Sequence, residues 1–291
     1  MEKVKTRILI DTSSGLSLDD CKSLGYEIIG LPFLLDDIEY DDLKLGKDIF
    51  YEKLESANKI NTSQAGIEQV ISKIRDMLKT CDEILYLPIT SGLSSAYNSG
   101  VVISNEKEFE GKVFCVDHRT ISVPEKRLLE DINKLLEKGY SAKEIKKIIE
   151  EQAKNNIWIV VDNFNYLKKG GRVSGVVATI GNILNIKPIL FSDGGKFSVV
   201  RKDRALIKSL DTMLSLVDEC LGDDVSKIGS LWSLDVAYTV NLDLAKTMQL
   251  KMSEKYNLPI ENVYIEELPQ VVACHTGPNT IGTALYKHIA I

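Results

Sequence analysis

Short apolar runs alternate with longer segments of helical spacing through the first half of the chain, and this alternation restricts the fold more than any other feature. Arg7 to Ile10, Glu27 to Phe33, Glu83 to Ile89 and Val113 to Val116 each have the composition of a strand. Between them, 47–58, 64–80 and 94–107 carry helical patterns, with Ile67, Val70, Ile71, Ile74 and Leu78 on one face of the second. Charged helices follow over 123–139 and 141–154, the latter opened by an S-x-x-E capping box at Ser141 and Glu144. A β-α-β-α rhythm folds as a parallel sheet with helices on its faces.

A second unit begins near residue 156. Ile157 to Val161 is a continuous apolar run, as expected of a buried strand. Beyond it the pattern predicts a helix over 174–184, strands near 188–191, 196–200 and 236–240, and helices over 203–220 and 241–255. Val271 to Cys274 reads as a strand, and 281–289 fits either a strand or a helix. No Pro-, Gly- or Ser-rich linker separates the halves, so the division is into 1–155 and 156–291.

Charge and motif content narrow the function. Forty-two acidic residues against 36 basic ones give a net charge of −6, which offers no field to attract nucleic-acid phosphates. Five dispersed cysteines without a C-x-x-C pair point to a reducing cytoplasm. The start MEKVKTRILID lacks the apolar core of a signal peptide, and no apolar run reaches the length of a membrane span. G-x-x-x-x-G-K-[ST], G-x-G-x-x-G and H-E-x-x-H are all absent, so neither ATP chemistry by this chain alone nor a metal site is expected.

Four polar clusters sit where loops should follow strands, the usual ligand position in open α/β sheets. Asn61 to Gln64 offers Thr62 or Ser63 as an N-cap, or as hydroxyls for an anion at a helix start. Thr90 to Ala96 holds four hydroxyls in six residues, with Ser91 and Ser94 among them, more than one cap requires. It also approaches the G-x-S-x-G elbow of serine hydrolases, with Ala96 in place of the last Gly and His275 later in the chain as a base. Leu167 to Ser174 places Lys168, Lys169 and Arg172 around two glycines, a solvated turn or a dock for an acidic partner. Cys274 to Asn279 sets His275 beside a Gly-Pro turn, with Cys274 expected in the core rather than acting as a nucleophile.

In order along the chain, Asp11-Thr12-Ser13, Thr62-Ser63-Gln64, Ser91 to Ser94, LKKGGRVS at 167–174, Asn185 to Leu190 and His275 to Pro278 resemble the motifs of the DegV family. These are bacterial fatty-acid-binding proteins that serve as the acyl-carrying subunit of fatty acid kinase. The resemblance spans 11–278; Ala65, Ala96, Asn98 and Asn279 depart from the commoner pattern without removing a hydroxyl or the histidine.

It implies a two-domain α/β fold: a parallel three-layer α/β/α domain over 1–155, and a second α/β domain with a mixed sheet over 156–291. It implies a long-chain fatty acid as ligand, with the carboxylate held by Thr62, Ser63, Ser91, Ser94 and His275 and the tail in a tunnel of the second domain. Arg172 would dock an ATP-dependent kinase subunit that phosphorylates the carboxylate, and the acyl phosphate would feed phospholipid synthesis. No cofactor, no catalysis by the chain alone and at most transient membrane contact are expected. The alternative is a serine hydrolase acting on acyl esters, with Ser94 as nucleophile and His275 as base.

Overall fold

The computed structural model describes residues 4–170 and 186–291. The first half runs β1 (Thr6–Asp11), α1 (Leu18–Leu24), β2 (Glu27–Ile29), β3 (Pro32–Leu35), β4 (Ile38–Asp41), α2 (Lys47–Ser56), β5 (Ile60–Thr62) and α3 (Ile67–Met77). It continues with β6 (Glu83–Leu87), α4 (Ala96–Ser104), β7 (Val113–Cys115), α5 (Val123–Glu137) and α6 (Ala142–Gln152). Strands order as β2-β1-β6-β7, and every pairing is parallel.

Both faces of this sheet are covered, which is why its strands read as unbroken apolar runs. Ile8, Ile10, Leu85 and Leu87 pack against Leu128, Ile132, Ile145 and Ile149 of α5 and α6. Leu9, Ile84 and Tyr86 pack on the other side against Val70 and Ile74 of α3 and Ile103 of α4. The result is the expected three-layer α/β/α arrangement. The Ser141 capping box forms as anticipated: its hydroxyl accepts from the Glu144 amide, and Glu144 accepts from the Ser141 amide at 2.9 Å.

The second half comprises β8 (Lys154–Val160), α7 (Phe164–Gly170), β9 (Lys187–Ser192), β10 (Ser198–Asp203), α8 (Leu206–Leu221) and β11 (Trp232–Tyr238). After these come α9 (Leu242–Tyr256), β12 (Ile265–Glu267), α10 (Gln270–Thr276) and β13 (Ile281–Lys287). Its sheet is mixed, ordered β10-β9-β8-β13-β11-β12, with only the β11–β12 pair parallel. Alternation sorts β8 by face. Trp158 and Val160 pack with Leu210, Met213 and Met248 of α8 and α9, whereas Ile157 and Ile159 turn toward the first half.

The structure departs from the sequence reading in several places. Glu27 to Phe33 is two strands, not one. The chain breaks at Gly30 and Leu31 and enters a small antiparallel sheet, β4-β3-β5; Gly30 sits so close to Asp41 that a Cβ there would lie 2.2 Å from its Oδ1. Val271 to Cys274 is helical: Pro269 precedes the first turn, and Gly277, at φ +73°, ends it by donating to the Ala273 carbonyl. The ambiguous 281–289 segment is strand β13, hydrogen-bonded on both edges to β8 and β11. Three-residue β12 was not anticipated at all. The helix expected over 174–184 lies outside the described residues.

One buried ion pair joins the halves. Arg127 of α5 donates to Asp235 of β11 through Nε (3.0 Å) and Nη2 (2.7 Å), and its guanidinium lies 3.4 Å from the Tyr264 ring centroid. Arg127→Ala would leave the Asp235 carboxylate buried and unpaired, and is expected to cost about 3–5 kcal/mol in urea unfolding. Arg127→Met combined with Asp235→Leu should recover most of that loss.

Candidate functional site

Loops that follow β5 of the small sheet and β6 of the first sheet meet at one cavity. Strand β5 carries Thr62 to its end, and the Ser63 amide extends the ladder by donating to Pro32 O at 3.1 Å. Helix α3 starts only at Ile67, with Gly66 at its N-cap and no side-chain cap. Neither Thr62 nor Ser63 therefore caps the helix. Thr62 Oγ1 lies 2.8 Å from Nε2 of His275, in the last turn of α10. Gln64 ties this loop to the next, accepting from Ser95 Oγ at 3.1 Å and donating to Ser99 Oγ at 3.0 Å.

The 88–95 loop is held from below by two carboxylates. Asp11 accepts from the Ile89 amide at 2.6 Å and from the Ser13 amide at 2.9 Å. Burial raises its pKa despite these bonds. Asp117 accepts from the Ser91 amide at 3.2 Å and from Ser91 Oγ at 2.5 Å. The Ser91 hydroxyl is thus committed to Asp117, and Ser91 does not line the cavity, whereas Thr62, Ser63, Ser94 and His275 do. Among the expected carboxylate ligands, Ser91 is set apart by this bond. Arg172 lies outside the described residues.

The cavity encloses about 1070 Å³ of empty space, its open mouth included. One wall is the inner face of the second sheet: Ile157, Ile159, Leu190, Ala237, Gly282 and Ala284, laid side by side by the strand register. No Asp, Glu, Lys or Arg is among the described lining residues, and His275 is the titratable group among them. A ligand here meets hydroxyl-bearing residues, an imidazole and, over most of the wall, hydrocarbon.

Sequence reasoning missed Ser122. It lines the same cavity, is 4% exposed, and its hydroxyl has no hydrogen-bond partner. Preceding a Pro-containing helix start, it looks like an N-cap in sequence, yet at φ +57° it makes no cap bond. Three residues on, Glu125 is fully buried; its burial, with Asp11 nearby, favours the neutral acid. Cys274 is also fully buried, and burial pushes its thiol up, as expected of a core residue rather than a nucleophile.

The geometry does not support a hydrolase. An elbow needs the serine on a sharp strand-to-helix turn. Here eight residues, 88–95, separate β6 from α4. Ser94 Oγ accepts from the Ala96 amide at 3.2 Å, and the imidazole Nε2 meets Thr62. Nor is any group of three His, Cys, Asp or Glu side chains placed to hold a metal ion among the described residues.

The DegV family model, described as an uncharacterised protein of the DegV family, matches residues 5–288. The chain belongs to the DegV family. A DegV domain-containing protein of Clostridium acetobutylicum is 30% identical over 96% of this chain and 97% of its own. Among solved structures, a fatty-acid-binding DegV family protein from Thermus thermophilus superposes with a TM-score of 0.82 at 25% identity, covering 97% of this chain and 99% of that one. A stearic-acid-binding protein from Eubacterium ventriosum shares the fold, with a TM-score of 0.85 at 20% identity over 98% and 99% of the two chains.

Within this DegV chain, two glycines let the halves meet beside the site. A Cβ on Gly92 would lie 2.5 Å from Gly194 O and 2.7 Å from Gly195 Cα, both backbone atoms of the 193–195 turn. Gly92→Ala must push the Ser94 loop away from the second sheet and should lower stability by about 1–3 kcal/mol. Gly66→Ala, whose new Cβ would meet only Gln69 Cβ at 3.9 Å, should leave the thermal midpoint nearly unchanged.

Proposed function

We propose that this chain binds a long-chain fatty acid in the cavity and presents its carboxylate to an ATP-dependent kinase subunit. The observation that carries the reading is an apolar cavity with no Asp, Glu, Lys or Arg among its described lining residues and with Thr62, Ser63, Ser94 and His275 on its wall. The solved DegV relative that binds fatty acid supports it.

The energetics suit such a ligand. Burying a methylene is worth about 0.8 kcal/mol, so a sixteen-carbon chain gains roughly 12 kcal/mol before association costs. The carboxylate is the costly end, because an unpaired buried charge is strongly unfavourable. Neutral hydroxyl donors and an imidazole that can donate offset this without locking the charge into an ion pair. The carboxylate then stays nucleophilic: one of its oxygens takes the terminal phosphoryl group of ATP in the kinase subunit, giving acyl phosphate and ADP.

In this reading 1–155 supplies the carboxylate loops and 156–291 encloses the tail. The expected boundary falls inside β8, where the second sheet begins. Arg172 docks the kinase, the acyl phosphate goes to phospholipid synthesis, and the chain works in the cytoplasm with no chemistry of its own. No helix among the described residues is long and apolar enough to cross a membrane.

Native mass spectrometry of the purified protein tests the ligand: fatty acid of roughly fourteen to eighteen carbons should co-purify. Protein that emerges empty and takes up no added oleate would refute the assignment. Thr62→Val and Ser94→Ala should each weaken oleate binding about tenfold, the cost of one lost bond to a charged group. Arg172→Ala should leave oleate binding intact while slowing phosphorylation by the partner; equal loss of both would instead place Arg172 at the carboxylate.

A further inference from the structure

The helix that carries His275 ends on two buried hydroxyls from the second sheet. The last carbonyls of a helix have no partner within it. At the end of α10 the Thr280 hydroxyl donates to Thr276 O at 3.0 Å and lies 3.3 Å from Gly277 O, and the Thr239 hydroxyl donates to Gly277 O at 2.8 Å. Both threonines are fully buried, and neither lines the cavity.

A closed circuit sets the direction of these bonds. Thr239 Oγ1 accepts from the Thr280 amide at 2.9 Å, which leaves its own proton for Gly277 O. The Thr239 amide in turn donates to Thr280 O at 3.0 Å, one rung beyond the Tyr238–Ile281 pair that ends the β11–β13 ladder. From another side, the Tyr166 ring of α7 occupies the space that a Cβ on Gly277 would need. The end of α10 is thus fixed around Gly277 by the ends of β11 and β13 and by α7. His275 lies two residues earlier, its Nε2 2.8 Å from Thr62 Oγ1.

The same two strands form part of the cavity wall. Ala237 and Gly282, each two residues from these threonines, face one another in the ladder and line the apolar cavity. The wall and the support of the imidazole therefore share one pair of strands. Exchanging the Thr239 hydroxyl for a methyl group keeps the shape of the side chain. It takes from the Gly277 carbonyl its nearer donor and from the Thr280 amide its acceptor. Buried groups left in that state are costly, so the helix end must shift to recover partners.

We propose that Thr239 and Thr280 are positioning residues for His275: by holding the end of α10 against the second sheet, they set where the imidazole meets the carboxylate of a bound acid. The identity of that ligand rests on the lipid-binding reading; the placement of the imidazole does not.

Calorimetric titration of the full-length, delipidated protein with oleate and with oleyl alcohol, which has the same tail and no carboxylate, separates head placement from general packing. Thr239→Val should weaken oleate binding about tenfold and leave oleyl alcohol within about twofold, and Thr239→Ser, which keeps the donor, should restore oleate binding. In the ligand-free protein the His275 ring Cε1–H NMR signal, assigned by its loss in His275→Gln, should shift in Thr239→Val and return in Thr239→Ser. Equal losses for the two ligands, undiminished oleate binding, or an unmoved His275 signal would each overturn the proposal. Thr280→Val, which removes the second donor, decides the matter if Thr239→Val does not fold. If the wild-type protein binds neither ligand, the lipid reading falls alone and the imidazole signal decides the positioning, as it does if only oleate is bound.

Discussion

The guanidinium of Arg127, forked onto Asp235 and laid against Tyr264, determines how the second sheet sits on the first half of the chain. The elements it clasps are also cavity walls. Ala237 follows Asp235 by two residues on β11, on the same side of that strand, and Pro124 precedes Arg127 by three on α5. A shift in the pair would move both walls together. A bidentate, desolvated ion pair suits this task less for its net stability than for its directionality, since any other registry of helix and strand would strand a buried charge.

Given that placement, the cavity follows from what is absent on the facing surfaces. Gly282, Ala237 and Ala284 stand in register across β13 and β11, so the inner face of the sheet is recessed where neighbouring strands carry Ile157 and Ile159. Gly92 and Gly194 allow the hydroxyl-bearing loop and the 193–195 turn to meet backbone to backbone, with Gly194 itself pressed against the Arg119 carbonyl. Close contact at the loops and thin side chains on the sheet together leave a largely apolar volume.

Much of the architecture was legible from pattern. Continuous apolar runs marked β1, β6 and β8 because strands buried on both faces have no polar side to show. The Ser141–Glu144 box marked the start of α6 because it satisfies orphan amides within four residues. Local reading failed where a distant partner decided the outcome. Val271 and Val272 favour a strand, but the segment is enclosed by β3, β5 and α2, where Phe33, Phe50 and Leu54 pack on Ala273 and Cys274. Thr62 and Ser63 look like caps, but β5 holds them in a ladder with Phe33 and Pro32 and moves the helix start beyond their reach.

The same division holds at the site. Local chemistry was enough to single out the loops that carry Thr62, Ser63, Ser91, Ser94 and His275, and the family resemblance to name them as carboxylate ligands. Only tertiary structure could separate Ser91, whose hydroxyl goes to Asp117 twenty-six residues away, and recruit Ser122, which sequence presents as an ordinary helix start. The sequence by itself determined the fold class, the family and the loops that carry the polar groups. Which of those groups share a cavity was decided by long-range hydrogen bonds and sheet register, whose partners lie too far apart in the chain for any local pattern to encode.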